Sequence, residues 1–319
     1  MKKFYLITLF ILVTVLNGLA QQRAQFTQYM INPFLYNPAV SGTEDYTDIR
    51  AGYRKQWTGF DGSPRSVYLS AHTNIGKSKV VNNRTKNKKS GFHGIGGVIT
   101  NDQIGPTTTT TISAAYSYHI KLSKTVFASL GGMGGLQQYA LESGKLTTAS
   151  GSDVAINGFT SRSMADINVG GWVYSDKFYA GGTMIQVVPQ KLYSAKSNTI
   201  GKGKSAHHYM IMAGYRIPLG YDFTFIPSFC LKAVSPAPLS YDINTKIRYK
   251  NIGWVGISYR HKDAVAAMFG IIFNNTFDFS YSYDYTTSHI KQFSGGSHEV
   301  VVGYRLRTKQ QIICPSSFW

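Results

Sequence analysis

The residues that could do chemistry in this chain are scattered rather than grouped. Gly201-Lys202-Gly203-Lys204-Ser205 ends as a phosphate-binding loop does. Asn198, however, stands where that motif needs its first glycine, and no strand-then-helix pattern surrounds it. A hydrolase would need a Ser or Asp brought beside a His. His72, His93, His119, His261, His289 and His298 are dispersed, and no local signature marks a nucleophile. His207 and His208 are adjacent, so on a strand they point to opposite faces and do not make a metal pair. Cys230 and Cys314 are too few for a disulfide framework, lack metal-ligand spacing and are read as unpaired. The sequence therefore predicts no catalytic residue, no cofactor and no metal, and the chain reads as a non-enzyme.

Two stretches instead have the chemistry of binding. Gln25 to Gly42 reads QFTQYMINPFLYNPAVSG. It carries Phe26, Tyr29 and Tyr36 among other apolar residues, with Asn32-Pro33 and Asn37-Pro38 as turn signals. Two readings are open for it: a plug folded into the interior of a larger structure, or a periplasmic recognition surface. Exposed aromatics in the periplasm would aggregate, which favours the plug. The second stretch, Lys77 to Ser90 (KSKVVNNRTKNKKS), is strongly basic, and Lys86, Lys88 and Lys89 are its candidate contacts with an acidic partner.

The elements that position these stretches follow from the ends and the composition. Lys2 and Lys3, then the apolar run Phe4 to Leu16, then small residues at Gly18 and Ala20, have the layout of a secretory signal peptide over residues 1–20. No later segment is apolar for the roughly 20 residues a spanning helix needs. Gly 32, Tyr 22 and Phe 18 are heavy use, as expected if aromatics form interfacial girdles and glycines serve strands and turns. The formal net charge of +18 would suggest nucleic acid. Export removes that reading, and the basic groups are expected to face lipid headgroups, lipopolysaccharide or an acidic protein.

Alternation with period two then assigns the class. From Thr276 to Tyr285, Phe277, Phe279, Tyr281, Tyr283 and Tyr285 share one face, and Asp278, Ser280, Ser282 and Asp284 the other. Val300, Val302, Tyr304 and Leu306 oppose Glu299, Arg305 and Arg307; the same holds for the segments ending at Lys121 and Lys232. Aromatics outside and charges inside describe an all-β, transmembrane antiparallel β-barrel of about 14 strands in the outer membrane of a Gram-negative bacterium. The barrel is expected over 46–308, preceded by an N-terminal plug or periplasmic segment at 21–45 and followed by a tail at 309–319. With the N-terminus in the periplasm, the long connections Ala140 to Arg162, Pro189 to Lys204 and Thr286 to Ser297 fall outside and the short turns inside. Lys77 to Ser90 breaks this parity. Either the strand count slips there, or the segment is a periplasmic docking loop.

The N-terminal block resembles the opening of the PorP/SprF family of the Bacteroidota type IX secretion and gliding-motility apparatus. The block Tyr53 to Phe60 with Ser63-Pro64-Arg65 resembles that family's first hairpin. LGGMGGLQQY, DINVGGWVYSDKFYAGGT and the close from Gly296 to Tyr304 are similar too. The end departs from it: Pro315-Ser316-Ser317-Phe318-Trp319 is less basic beside the final aromatics. The resemblance implies a secretion component with no catalytic residue or cofactor. Its implied partners are a secreted adhesin or other cargo with a C-terminal sorting domain, and periplasmic secretion and peptidoglycan-binding subunits. On this reading Phe26, Tyr29, Asn32, Pro33, Tyr36, Asn37 and Pro38 join the three lysines as candidate partner contacts. The alternative is a passive pore for anionic solutes, with Lys121, Lys232, Arg305 and Arg307 as the lumenal cations.

Overall fold

The computed structural model describes residues 23–59, 61–77, 91–142, 161–189, 206–235 and 237–306. They form a closed antiparallel barrel of 14 strands. The first seven are β1 (Thr47–Lys55), β2 (Arg65–Ile75), β3 (Phe92–Ile104), β4 (Thr107–Lys121), β5 (Phe127–Leu141), β6 (Ser161–Tyr174) and β7 (Phe178–Ile185). β8 runs in two pieces, His208–Tyr215 and Ile217–Leu219, interrupted at Arg216. Then follow β9 (Phe223–Val234), β10 (Ser240–Tyr249), β11 (Gly253–Arg260), β12 (Ala264–Phe273), β13 (Phe277–Thr286) and β14 (Ser297–Leu306). Each pairs with its neighbours in sequence, and β1 closes on β14 in a register running from Thr47 opposite Leu306 to Lys55 opposite His298. Closure gives every strand a neighbour on both sides, the condition for spanning a bilayer with strands.

The alternation read from sequence holds in space. Phe277, Phe279 and Tyr285 of β13 are exposed on the outer wall, while Asp278, Ser280, Ser282 and Asp284 are buried. Ile112, Tyr116, Tyr118 and Ile120 of β4 likewise face out, opposite Thr111, Ser113, Ser117 and His119. An exterior that is apolar and an interior that is charged suit lipid outside and a polar lumen inside.

The short turns at 122–126, 175–177, 220–222, 250–252 and 274–276 lie at one end of the barrel. Short turns are periplasmic in such barrels, so β1 starts and β14 finishes at the inner end. Asn274 and Asn275 both take positive φ (49° and 54°) at the centre of the turn that the Thr276 amide closes on the Phe273 carbonyl, a twist that suits a tight hairpin. The connection between β2 and β3 falls at this inner end, so the strand count does not slip there. Lys86, Lys88 and Lys89 lie outside the described residues.

Candidate functional site

The lumen is not empty. Residues 23–46 fold inside it as two short 3-10 turns, Pro33–Leu35 and Pro38–Val40, and reach the wall on several sides. Each turn opens on the proline of an Asn-Pro pair, whose fixed φ suits a first helical position. Phe34 is 0% exposed. With Tyr29, Met30, Ala39 and Val40 it builds a core against wall residues that include Met133, Trp172 and Met212. Phe34, Met30 and Val40 each contribute about 1.5–3 kcal/mol by leaving water. The segment is a plug.

Polar contacts tie that plug at its outer and inner ends. Near the outer end, Thr27 sits in a clasp formed by the barrel's closing seam. Arg54 of β1 pairs with Asp284 of β13 at 2.7 Å and with Glu299 of β14 at 3.2 Å. The Thr27 amide donates to Glu299 Oε2 at 2.7 Å and its hydroxyl donates to Asp284 at 2.7 Å. Arg54 and Arg260 donate to that same hydroxyl at 2.7 and 2.9 Å, and Gln28 donates its amide to Glu299 at 3.1 Å. Buried charges in this density are tolerable only because each has a partner.

A second network crosses the same three strands nearer the inner end. Arg50 pairs with Asp48 at 2.8 Å and Asp278 at 3.1 Å, and Arg305 pairs with Asp278 at 2.8 Å. Gly303 makes room for it, since a Cβ there would lie 2.5 Å from the Asp278 carboxylate.

Farther round the wall, Asn37 donates to the carbonyls of Gly171 and Gly182 at 3.1 and 3.3 Å, and its Oδ1 accepts from the Ala39 amide. Ser129 donates to the Ala39 carbonyl at 2.7 Å. Gly131 belongs to the glycine-rich run of β5. A Cβ there would come within 2.6 Å of Ala39 N, so the close packing expected of that run is against the plug backbone.

A Ser meets a His inside the barrel at Ser117 and His119, and this too is a plug contact. Ser117 and His119 are fully buried, 2.9 Å apart. The Ser41 carbonyl accepts from Ser117 Oγ at 2.7 Å and lies 2.7 Å from His119 Nε2. A carbonyl only accepts, so Nε2 carries a proton and Nδ1 accepts from the Tyr174 hydroxyl at 3.0 Å. The imidazole nitrogen that faces the serine therefore has no lone pair to activate it, and the pair is a latch. Its parts lie 76 and 78 positions from Ser41, and no local pattern links them.

Among the sequence-predicted contacts, the N-terminal group lies within the barrel. Phe26 meets Tyr68 edge-on at 4.8 Å. The Tyr29 hydroxyl accepts from Asn244 at 2.6 Å, and Asn32 donates to Ser70 at 2.8 Å. The Tyr36 hydroxyl accepts from the Phe26 amide at 3.0 Å, bracing the plug on itself. Phe26, Tyr29, Asn32, Pro33, Tyr36, Asn37 and Pro38 are thus brought together inside the lumen. Tyr29, Asn32 and Asn37 bond to the wall, and Tyr36 bonds within the plug. The cations of the pore reading are also displaced or neutralised. Lys232 pairs with Asp242 at 2.6 Å and Arg305 with Asp278. Lys121, expected inside, is exposed at the inner rim over the Phe127 ring, because the strand ends there. Arg307 and Cys314 lie outside the described residues, and Cys230 is a buried free thiol. His207 and His208 bond through their rings to the carbonyls of Gln186 and Ala206, not to each other. No cluster with the makings of a metal site occurs among the described residues.

Comparison with known proteins agrees with this architecture. The family model described as type IX secretion system membrane protein PorP/SprF matches residues 18–304. No curated protein sequence matches the chain. Among solved structures, the CymD monoaromatic hydrocarbon channel is similar at a TM-score of 0.52 and 10% identity, over 92% of this chain and 96% of that one. The Acinetobacter baumannii outer membrane protein Omp33 aligns at 0.47 and 8%, over 83% and 100%. A Pseudomonas aeruginosa FadL homologue aligns at 0.48 and 9%, over 84% and 92%. At such identities the CymD likeness speaks for the barrel fold alone.

Proposed function

Because the chain belongs to the PorP/SprF family of type IX secretion system membrane proteins, we propose that it is a non-enzymatic outer-membrane component of that system which binds protein at both faces. Its outer loops would hold secreted cargo, such as an adhesin, by the C-terminal sorting domain. The basic segment between β2 and β3, at the inner end, would dock periplasmic secretion and peptidoglycan-binding subunits. Lys86, Lys88 and Lys89 would steer an acidic surface toward the barrel, raising the rate of encounter more than the final affinity.

The observation that carries this reading is the plug. A barrel whose lumen holds its own N-terminal segment, with that segment's polar groups bonded to the wall, is suited to presenting loops on a rigid frame. It is poorly suited to passing solute, and pairing of Lys232 and Arg305 with carboxylates weighs against the anion pore. The test is affinity capture of the tagged protein from its native outer membrane, compared with a Lys86→Glu, Lys88→Glu, Lys89→Glu triple variant. Recovery of cargo and periplasmic subunits with the parent, and of cargo without the subunits from the variant, supports both halves of the reading. Undiminished recovery of the subunits by the variant refutes the docking role of the basic segment.

A further inference from the structure

In the outer half of the lumen a cavity of about 250 Å³ lies between the plug and strands β3 to β8. Its lining includes Ile104 and Thr107, which flank the tight turn at the outer end, so the cavity lies toward the cell exterior. The secretion role does not use it.

The chemistry of the lining is specific. Part of the lining is apolar and partly aromatic: Phe26, Leu35 and Tyr36 of the plug, with Met133 and Met164 of the wall. Another part is a row of hydroxyls. Thr107, Thr109, Thr111 and Ser113 follow one another on the lumenal face of β4, beside Thr100 of β3. Ser113 is buried, and its Oγ has no hydrogen-bond partner, so a donor-acceptor group is left unsatisfied at the cavity wall. The remaining polar lining adds the carboxylates of Asp102 and Asp166, the amides of Gln137, Asn168 and Gln186, and the rings of Tyr139 and His208. The cation Arg23 is already paired to Asp166. A pocket with an apolar floor and a few convergent polar groups is the ordinary form of a small-molecule site. Carboxylates accept from hydroxyls, amides and hydroxyls both donate and accept, and among the described residues no unpaired arginine or lysine lines the cavity to hold an anion.

From this geometry we infer that the outer cavity binds a neutral, hydroxyl-rich ligand, one or two sugar units in size, with the flat apolar side of the ring on Phe26 and Tyr36 and its hydroxyls toward β4 and the carboxylates. The plug itself forms the floor. Occupancy from outside therefore bears directly on the residues next to Thr27, where the plug is clasped to the closing seam.

The test uses the full-length barrel in detergent and saturation-transfer NMR with glucose, N-acetylglucosamine and maltose as probes, and toluene as the apolar comparison. Thr109→Val with Ser113→Ala removes two hydroxyls while keeping shape. Thr109→Trp fills the cavity. Retention of the heat-modifiable gel shift typical of folded barrels shows that either variant is assembled. The expected result is transfer to at least one saccharide, weakened roughly 10- to 30-fold by the double variant, the loss of about two hydrogen bonds, and abolished by Thr109→Trp. No transfer to any saccharide overturns the assignment. So does transfer that survives in folded Thr109→Trp, or binding of toluene alone.

Discussion

Thr27 and Glu299 are separated by 272 positions, yet the amide of the first donates to the carboxylate of the second at 2.7 Å inside the lumen. Glu299 lies on β14, which pairs with β1, so this bond joins the plug to the seam where the barrel closes. Arg54, 1% exposed on β1, bridges the same Glu299 to Asp284 of β13 and completes the clasp. Closing the barrel and seating the plug are therefore one structural event, because the same side chains do both.

Removing the bridge should be expensive. Arg54→Ala leaves Asp284 and Glu299 buried with too little positive charge, a loss of about 3–5 kcal/mol for breaking a buried pair. Thr27→Ala removes hydroxyl bonds only and should cost about 1 kcal/mol. Urea unfolding in detergent, followed by tryptophan fluorescence, would rank the two. Equal and small effects would mean that the clasp contributes little.

The plug wall makes a sharper prediction on a single strand. Gly131→Val drives a side chain into the Ala39 backbone, whereas Gly132, its neighbour on the lipid face, has nothing within 4 Å of an added Cβ. Gly131→Val should destabilise by about 1–3 kcal/mol through overpacking. Gly132→Val should leave the unfolding midpoint unchanged. The reverse order would place the plug elsewhere.

Much of this architecture is legible in the sequence, for a physical reason. A strand between lipid and a polar lumen must alternate strictly, and β13 does so at every position from Phe277 to Tyr285, so faces and strand order follow directly. The plug has no such rule. Gln25 to Gly42 shows turn signals and apolar residues, which favour an interior over a surface but do not say which wall residues they meet. Its partners, such as Glu299 for Thr27 or Ser117 for Ser41, are remote in sequence and set by closure of the barrel. Lys121 shows the limit of parity: it occupies a lumenal position in the pattern, but β4 ends at the rim and the side chain turns to solvent over Phe127.

Glu44 should make stability depend on pH. It lies between the plug's last turn and β1, outside the spanning strands. Its carboxylate oxygens are buried without hydrogen-bond partners. Burial, aided by the nearby Asp48, pushes its pKa up from 4.5 to about 8, with Lys77 and Arg305 opposing. The folded protein thus holds a proton that the unfolded chain loses near pH 4.5. This stabilising contribution is fully present below that value and is lost as pH rises through about 8. Between those limits the parent should lose stability on the order of a few kcal/mol, and Glu44→Gln should remove that part of the dependence. Parallel pH profiles for the two proteins would show Glu44 to be ionised or hydrated in place.

If the N-terminal segment fills the barrel, the protein is a closed binding frame and not an open pore. Single-channel recording in planar bilayers decides this, with the full chain beside a variant lacking residues 23–44. No steady conductance is expected from the full chain and a large open conductance from the deletion. A steady, anion-selective conductance from the full chain would overturn the plug.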